Sequence, residues 1–254
     1  MEYPKRIIKK GEASKAIVKA IQKKLNEQNC GPIAVDGDFG NQTLSAVKLF
    51  QTKNLDAAGA PLKADGQIGA ITWEALFGAD TLASNEPGSA LMLAAIDFAA
   101  TQLGVEEQPR LSNRGPEVDK YLLSVGLNPV GNHYSWCAAF VYYCFKQAAL
   151  QLNAGNPVIK TAGVLDHWNR ARCEKISRSA ALSDPSRVKP GSIFIIDHGN
   201  NLGHTGIVTS ITGGNLSTIE GNTNSGLSRE GYGVFKLTRR KVSDNGMKGF
   251  LNYV

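Results

Sequence analysis

From Val188 onward the apolar residues of this chain stop recurring at three- and four-residue intervals and begin to alternate, with β-branched side chains prominent among them. That switch limits the fold more than any other feature. A 3.6-residue period buries one stripe of a helix, whereas strict alternation buries one face of a strand. Helices followed by strands, rather than interleaved with them, make an α+β protein with an antiparallel sheet. Strands are expected at 192–196, 204–211, 216–220, 233–240 and 249–254, with a loop over 197–203 and a turn at Thr212-Gly213-Gly214-Asn215. Upstream, helical spacing predicts a helix over 14–28, another over 89–103 stopped by Gly104, and a short one over 117–125. Further helices are expected after Ser135 and within 161–172, the latter carrying Trp168.

With 254 residues the chain is long enough for one large or two modest domains, each with a core of its own. Its 42% hydrophobic and 20% charged residues are those of a globular protein and exclude a disordered one. The net charge of +6 favours an anionic partner. The basic groups Lys5-Arg6, Lys9-Lys10 and Arg239-Arg240-Lys241 are too short, and too poor in aromatics, for a nucleic-acid tract; a polyanionic cell wall suits the dispersed charge better. The most apolar run, Leu91 to Ala100, is broken by Asp97, so no membrane span is expected. No apolar segment of signal-peptide length follows Met1 to Lys10, and export by a non-Sec route is the expectation.

The first eighty residues hold an internal repeat. Asp36-Gly37-Asp38-Phe39-Gly40-Asn41-Gln42-Thr43 aligns with Asp65-Gly66-Gln67-Ile68-Gly69-Ala70-Ile71-Thr72 as D-G-x-(F/I)-G-x-x-T, each copy running into a helical pattern. The glycines permit a tight turn from which a helix starts at once. Asp36 and Asp38 do not make a calcium loop, because Gly40 and Val47 would occupy its fifth and twelfth positions. These residues, with Ala16-Ile17-Val18, Ala46-Val47, Phe50-Gln51 and Thr72-Trp73, resemble the peptidoglycan-binding domain type 1 family, although Asn41 stands where that family usually has proline. The resemblance implies a small three-helix wall anchor over 1–78, with Asp36, Phe39, Asp65 and Trp73 as candidate contacts. The small, polar, Pro/Gly-bearing stretch 79–88 reads as a linker, and 89–254 as a second domain.

Four cysteines, Cys30, Cys137, Cys144 and Cys173, show neither C-x-x-C nor zinc-ribbon spacing. Cys137 and Cys144 stand two turns apart on one helix face, too far for a bridge; a Cys30–Cys173 bridge is left open, and free thiols are expected. Cys137 falls in a first helical turn with Ser135 as the expected N-cap. Unpaired N–H groups there favour an anion, and the thiolate is the nucleophilic form of cysteine. A cysteine hydrolase also needs a base and a polar group to fix the base's tautomer. His204 opens a strand between Gly203 and Gly206, small residues that leave room for a substrate, with His198 as the rival base. Glu220 and Asn222 share a face of the next strand, and either is placed to hold an imidazole. The polar loop 106–116 is a candidate wall of the cleft. His133, His167, His198 and His204 form no metal-binding spacing, and no metal or cofactor is expected.

Ser135-Trp136-Cys137-Ala138-Ala139-Phe140-Val141, Lys189-Pro190-Gly191-Ser192-Ile193, Gly203-His204-Thr205-Gly206-Ile207-Val208 and Ile219-Glu220-Gly221-Asn222-Thr223-Asn224 together resemble the CHAP family of cysteine- and histidine-dependent amidohydrolases/peptidases, over about residues 90 to 230. That resemblance implies a papain-like fold with Cys137 as nucleophile, His204 as base, Glu220 as the residue orienting it, Asn222 as a further polar member and Trp136 as a cleft wall. The partner it implies is bacterial peptidoglycan, cleaved at the N-acetylmuramoyl-L-alanine amide or within the stem peptide. A wall-binding protein without catalysis and a cysteine acyltransferase are the alternatives. Delivery as a phage-type lysin or as a secretion-system effector, the latter with an immunity protein, completes the expectation.

Overall fold

The computed structural model describes residues 1–226 and 231–253; Val254, the end of the last expected strand, lies outside them, as do 227–230 near the close of the second resemblance. The chain divides into two compact units, one of residues 1–84 with 182–185 and 212–215, the other of the remaining described residues. The α+β class expected from the sequence is the one found, with helices first and the sheet after them.

In the first unit, α1 (Lys15–Glu27), α2 (Asn41–Lys53) and α3 (Ala70–Phe77) close on a core that includes Val18, Ile21, Phe39, Val47, Phe50 and Trp73. The repeat has a structural reason. Gln22, buried in α1, accepts from Gly37 N at 2.9 Å and donates to Asp36 Oδ1 at 2.8 Å and to the Asp38 carbonyl at 3.1 Å. Gln51, buried in α2, accepts from Gly66 N at 2.8 Å and donates to Asp65 Oδ1 at 3.3 Å and to the Gln67 carbonyl at 2.9 Å. Each amide thus satisfies the backbone of the turn that launches the next helix, where Gly37 and Gly66 take φ of 82° and 76°. Part of the expected linker belongs to this packing: residues 79–81 form a 3-10 turn, and Trp73 Nε1 donates to Thr81 Oγ1 at 3.0 Å.

The second unit begins with α4 (Ala90–Thr101), whose N-cap Ser89 accepts from Met92 N at 3.3 Å. Then come α5 (Pro116–Ser124), α6 (Cys137–Gln151), α7 (Val164–Arg170), β1 (Glu174–Ser177), α8 (Arg178–Ser183), whose last two residues divide with the first unit, and β2 (Ile193–Gly199). The chain closes with β3 (Leu202–Thr212), β4 (Asn215–Thr223), β5 (Gly233–Lys241) and β6 (Met247–Asn252). The sheet has the order β1-β6-β2-β3-β4-β5. β1 escapes sequence reading because only Ile176 of its four residues is buried, which leaves no alternation to see. The expected loop 197–203 is largely strand: β2 and β3 turn through Asn200 and Asn201, at φ 53° and 59°, the two left-handed positions that a type I′ hairpin requires. Ile193, Ile195, Ile207 and Ile219 face the helices and join one core with Phe140, Val141 and Cys144 of α6. Among the described residues no helix is long and apolar enough to cross a membrane.

Candidate active site

α6 opens directly on Cys137. Its cap is Trp136, not the expected Ser135, and Trp136 makes no side-chain capping bond; Ser135 lies one residue further out, exposed. No capping side chain therefore claims the first-turn N–H groups. Trp136 is fully buried and anchors the helix start from below, its Nε1 donating to Glu107 Oε1 at 2.8 Å, instead of walling a cleft. Glu107 is also buried and accepts from Asn113 N at 3.0 Å, which ties the loop 106–116 to the residue preceding the cysteine.

The helix approaches β4 at Gly221, where an added Cβ would stand 2.7 Å from both the Phe140 and the Trp136 rings. Only glycine permits that approach, and by alternation it sends Glu220 to the opposite face of the strand. On β3, Gly206 is needed for a similar reason: a Cβ there would meet the Glu220 side chain, the Ile219 carbonyl and the Phe194 ring, each at 2.8 Å. The glycine expected to leave space for substrate instead makes space for Glu220. Gly203 likewise accommodates the Ile196 carbonyl and Val164.

His204 and Glu220 meet across β3 and β4, Nε2 to Oε2, at 2.7 Å, with His204 14% exposed and Glu220 not at all. Cys137 is the other side chain that acts on this ring, and like Glu220 it favours the charged imidazole. Nε2 is engaged by Glu220, which leaves Nδ1 as the nitrogen for proton transfer. Burial works against a charge on this ring, but the Cys137 and Glu220 partners overcome it and raise its pKa to about 9. The ring lies against Phe194, centroid to centroid 5.9 Å. His198, the rival base, is exposed at the far end of β2.

Glu220 is the most heavily bonded side chain of the group. Besides His204 it accepts from Thr218 Oγ1 at 2.6 Å and from Arg240 of β5 twice, Nε to Oε1 at 2.8 Å and Nη2 to Oε2 at 2.7 Å. Burial disfavours its charge; the Arg240 fork and His204 more than offset that and hold its pKa down to about 2. Asn222 stands at φ 53° on the same strand and donates to Asn113 Oδ1 at 2.7 Å, so it reaches the loop 106–116 rather than the His204 ring. Thr218 is legible from period two, being two residues before Glu220. Arg240 is not, because the pairing of β4 with β5 across residues 224–232 has no signature in the sequence.

The four cysteines are free thiols. Cys144, two turns along α6, is fully enclosed and its pKa is pushed well up by burial. Among the described residues no group of three or more His, Cys, Asp or Glu side chains gathers as a metal site.

In the first unit, Phe39 and Trp73 are core side chains, 1% and 0% exposed, with no surface to offer a polymer. Asp36 and Asp65 hold their turns through the glutamine bonds given above, Asp36 exposed and Asp65 partly so. A cleft of about 480 Å³ opens elsewhere, lined by Pro32, Ile33, Asn41, Gln42, Ser45 and Leu49.

Residues 129–222 match the family model of the CHAP domain, and residues 14–76 that of the putative peptidoglycan binding domain. The first match spans Trp136, Cys137, His204, Glu220 and Asn222, and ends before β5 and Arg240. No curated protein and no solved structure was found to match the chain.

Proposed function

We propose, for a chain that pairs a CHAP domain with a peptidoglycan-binding domain and is on that ground a peptidoglycan hydrolase, that it cleaves a wall amide through a thioester on Cys137. The observation that carries this reading is one buried ring held by Glu220 at 2.7 Å and raised in proton affinity by both Glu220 and Cys137. Nε2–H donates to Glu220, which leaves Nδ1 to take the thiol proton, and the raised proton affinity of the ring favours that transfer. His204 takes the thiol proton as the sulfur attacks the amide carbon, then gives it to the departing amine nitrogen. Water, deprotonated by the same ring, attacks the thioester carbon and releases the acid and the thiol. The uncapped N–H groups at the start of α6 are the natural donors to the oxyanion of each tetrahedral intermediate.

The bond broken is either the muramoyl–L-alanine amide or one within the stem peptide. Mass spectrometry of fragments released from purified peptidoglycan by the wild-type protein and by Cys137→Ala decides. New peptides with free L-alanine amino termini, absent with the variant, make it an amidase; cleavage inside the peptide makes it an endopeptidase. No fragments from either protein, with wall binding intact, would overturn the catalytic reading.

The wall contact of the first unit falls, on this reading, to the cleft beside α2, since its exposed amide and hydroxyl groups next to Pro32, Ile33 and Leu49 suit N-acetylated sugars and short peptides. Gln42→Trp, which fills the cleft, should reduce co-sedimentation with purified walls and leave hydrolysis of soluble fragments unchanged. Undiminished co-sedimentation would move the contact elsewhere.

A further inference from the structure

We propose that Arg240 is a positioning residue of this site: its fork fixes the Glu220 carboxylate against His204 and supplies the cation that keeps the buried group free of net charge. The inference deepens the cysteine reading above and rests on it. Arg240 is 11% exposed and spends two of its donors on Glu220, at 2.8 and 2.7 Å. Its guanidinium also lies 5.4 Å from the centre of the Phe194 ring, the ring that flanks His204. One aromatic side chain of β2 thus backs both the base and the arginine. With Thr218 on Oε1, the Glu220 carboxylate has four hydrogen-bond donors and little freedom to rotate.

The charge count gives Arg240 its role. Before the thiol proton moves, the group holds a thiol, a neutral imidazole, a carboxylate and a guanidinium. Afterwards it holds a thiolate, an imidazolium, the same carboxylate and the same guanidinium. Both sets sum to zero, so proton transfer from Cys137 to His204 does not change the net charge in the low-dielectric interior. Without Arg240 both sets sum to minus one, and that excess raises the proton affinity of every member. The other ionisable group acting on the arginine is Asp244, just beyond β5, which is itself next to Lys241. Cys137 from α6, His204 from β3 and Glu220 from β4 complete the surroundings.

The test is the pH dependence of Cys137 alkylation by iodoacetamide in the full-length protein, read by peptide mass spectrometry so that the other cysteines do not interfere. It needs no wall substrate. A protein that alkylates as expected but releases no wall fragments would defeat the hydrolase reading and leave this inference standing. Arg240→Gln should move the acid limb of thiolate formation up by about one pH unit, an alkylation rate about tenfold lower on that limb. Glu220→Gln should move the limb the opposite way, which a merely structural role of Arg240 would not produce. Arg240→Lys keeps the charge and loses the fork; it should leave the limb near its wild-type position and lower kcat on soluble wall fragments about tenfold at unchanged KM. A folded Arg240→Gln protein with an unmoved limb overturns the proposal. Should that variant fail to fold, an unchanged kcat for Arg240→Lys overturns it equally.

Discussion

Each unit buries a polar network, and the two are built on opposite principles. In the first unit the amides of Gln22 and Gln51 go inside and the carboxylate of Asp36 stays at the surface. In the second unit the charges themselves go inside: Glu220 is wholly buried, with Arg240 and His204 around it. An amide holds a turn at any pH and reacts with nothing. A buried carboxylate costs more to desolvate, and only its cationic partners make it tolerable, but it adjusts the protonation of its neighbours. The first network is suited to shape, the second to chemistry.

The largest expected effect breaks the second network at its nucleophile. Cys137→Ala should take hydrolysis down to background, a loss of about 10⁴-fold or more, while wall binding and the melting temperature stay near wild type. Retained hydrolysis would locate the chemistry elsewhere. Glu220→Gln should lower kcat by about 10²-fold and destabilise the second unit by about 3 kcal/mol, because Arg240 loses its countercharge in a buried place. Urea unfolding together with fragment-release kinetics reads both numbers.

The same comparison predicts a contrast for Gln51→Leu in the first unit. Gly66 N and the Gln67 carbonyl would each lose a partner, at a cost of about 2 kcal/mol, with wall binding weakened and hydrolysis of soluble fragments unaltered. A loss of hydrolysis on soluble fragments equal to the loss of wall binding would erase the distinction between the networks.

Stability against pH is the subtlest of the tests. His204 has its pKa raised from 6.5 to about 9, so its contribution is full below 6.5 and is lost as pH rises through 9. His167 is buried, its Nε2 2.8 Å from the Tyr253 hydroxyl, and desolvation lowers its pKa from 6.5 to about 4. Its contribution is full above 6.5 and is lost as pH falls through 4. Thermal melts of the second unit should therefore pass through a maximum near pH 6.5, and His167→Gln should flatten the acid side only. An acid slope that survives this substitution would assign it to other groups.

Local patterns in the chain carry much of this. The switch in apolar period implies the α+β class, the paired D-G-x-(F/I)-G-x-x-T turns mark the first unit, and the resemblance of four motifs to the CHAP family points to Cys137, His204 and Glu220. Periodicity, turn chemistry and helix starts are written within a few residues of one another, which is why the sequence by itself determines them. Only the tertiary structure decides what depends on strand neighbours and on close approach. It sets Arg240 against Glu220 through the pairing of β4 with β5, and turns Trp136, Phe39 and Trp73 inward. It also gives Gly206 to Glu220 and not to a substrate. Register and burial are settled by the whole core at once, by which faces meet and which charges find partners, and no single stretch of the chain carries that information.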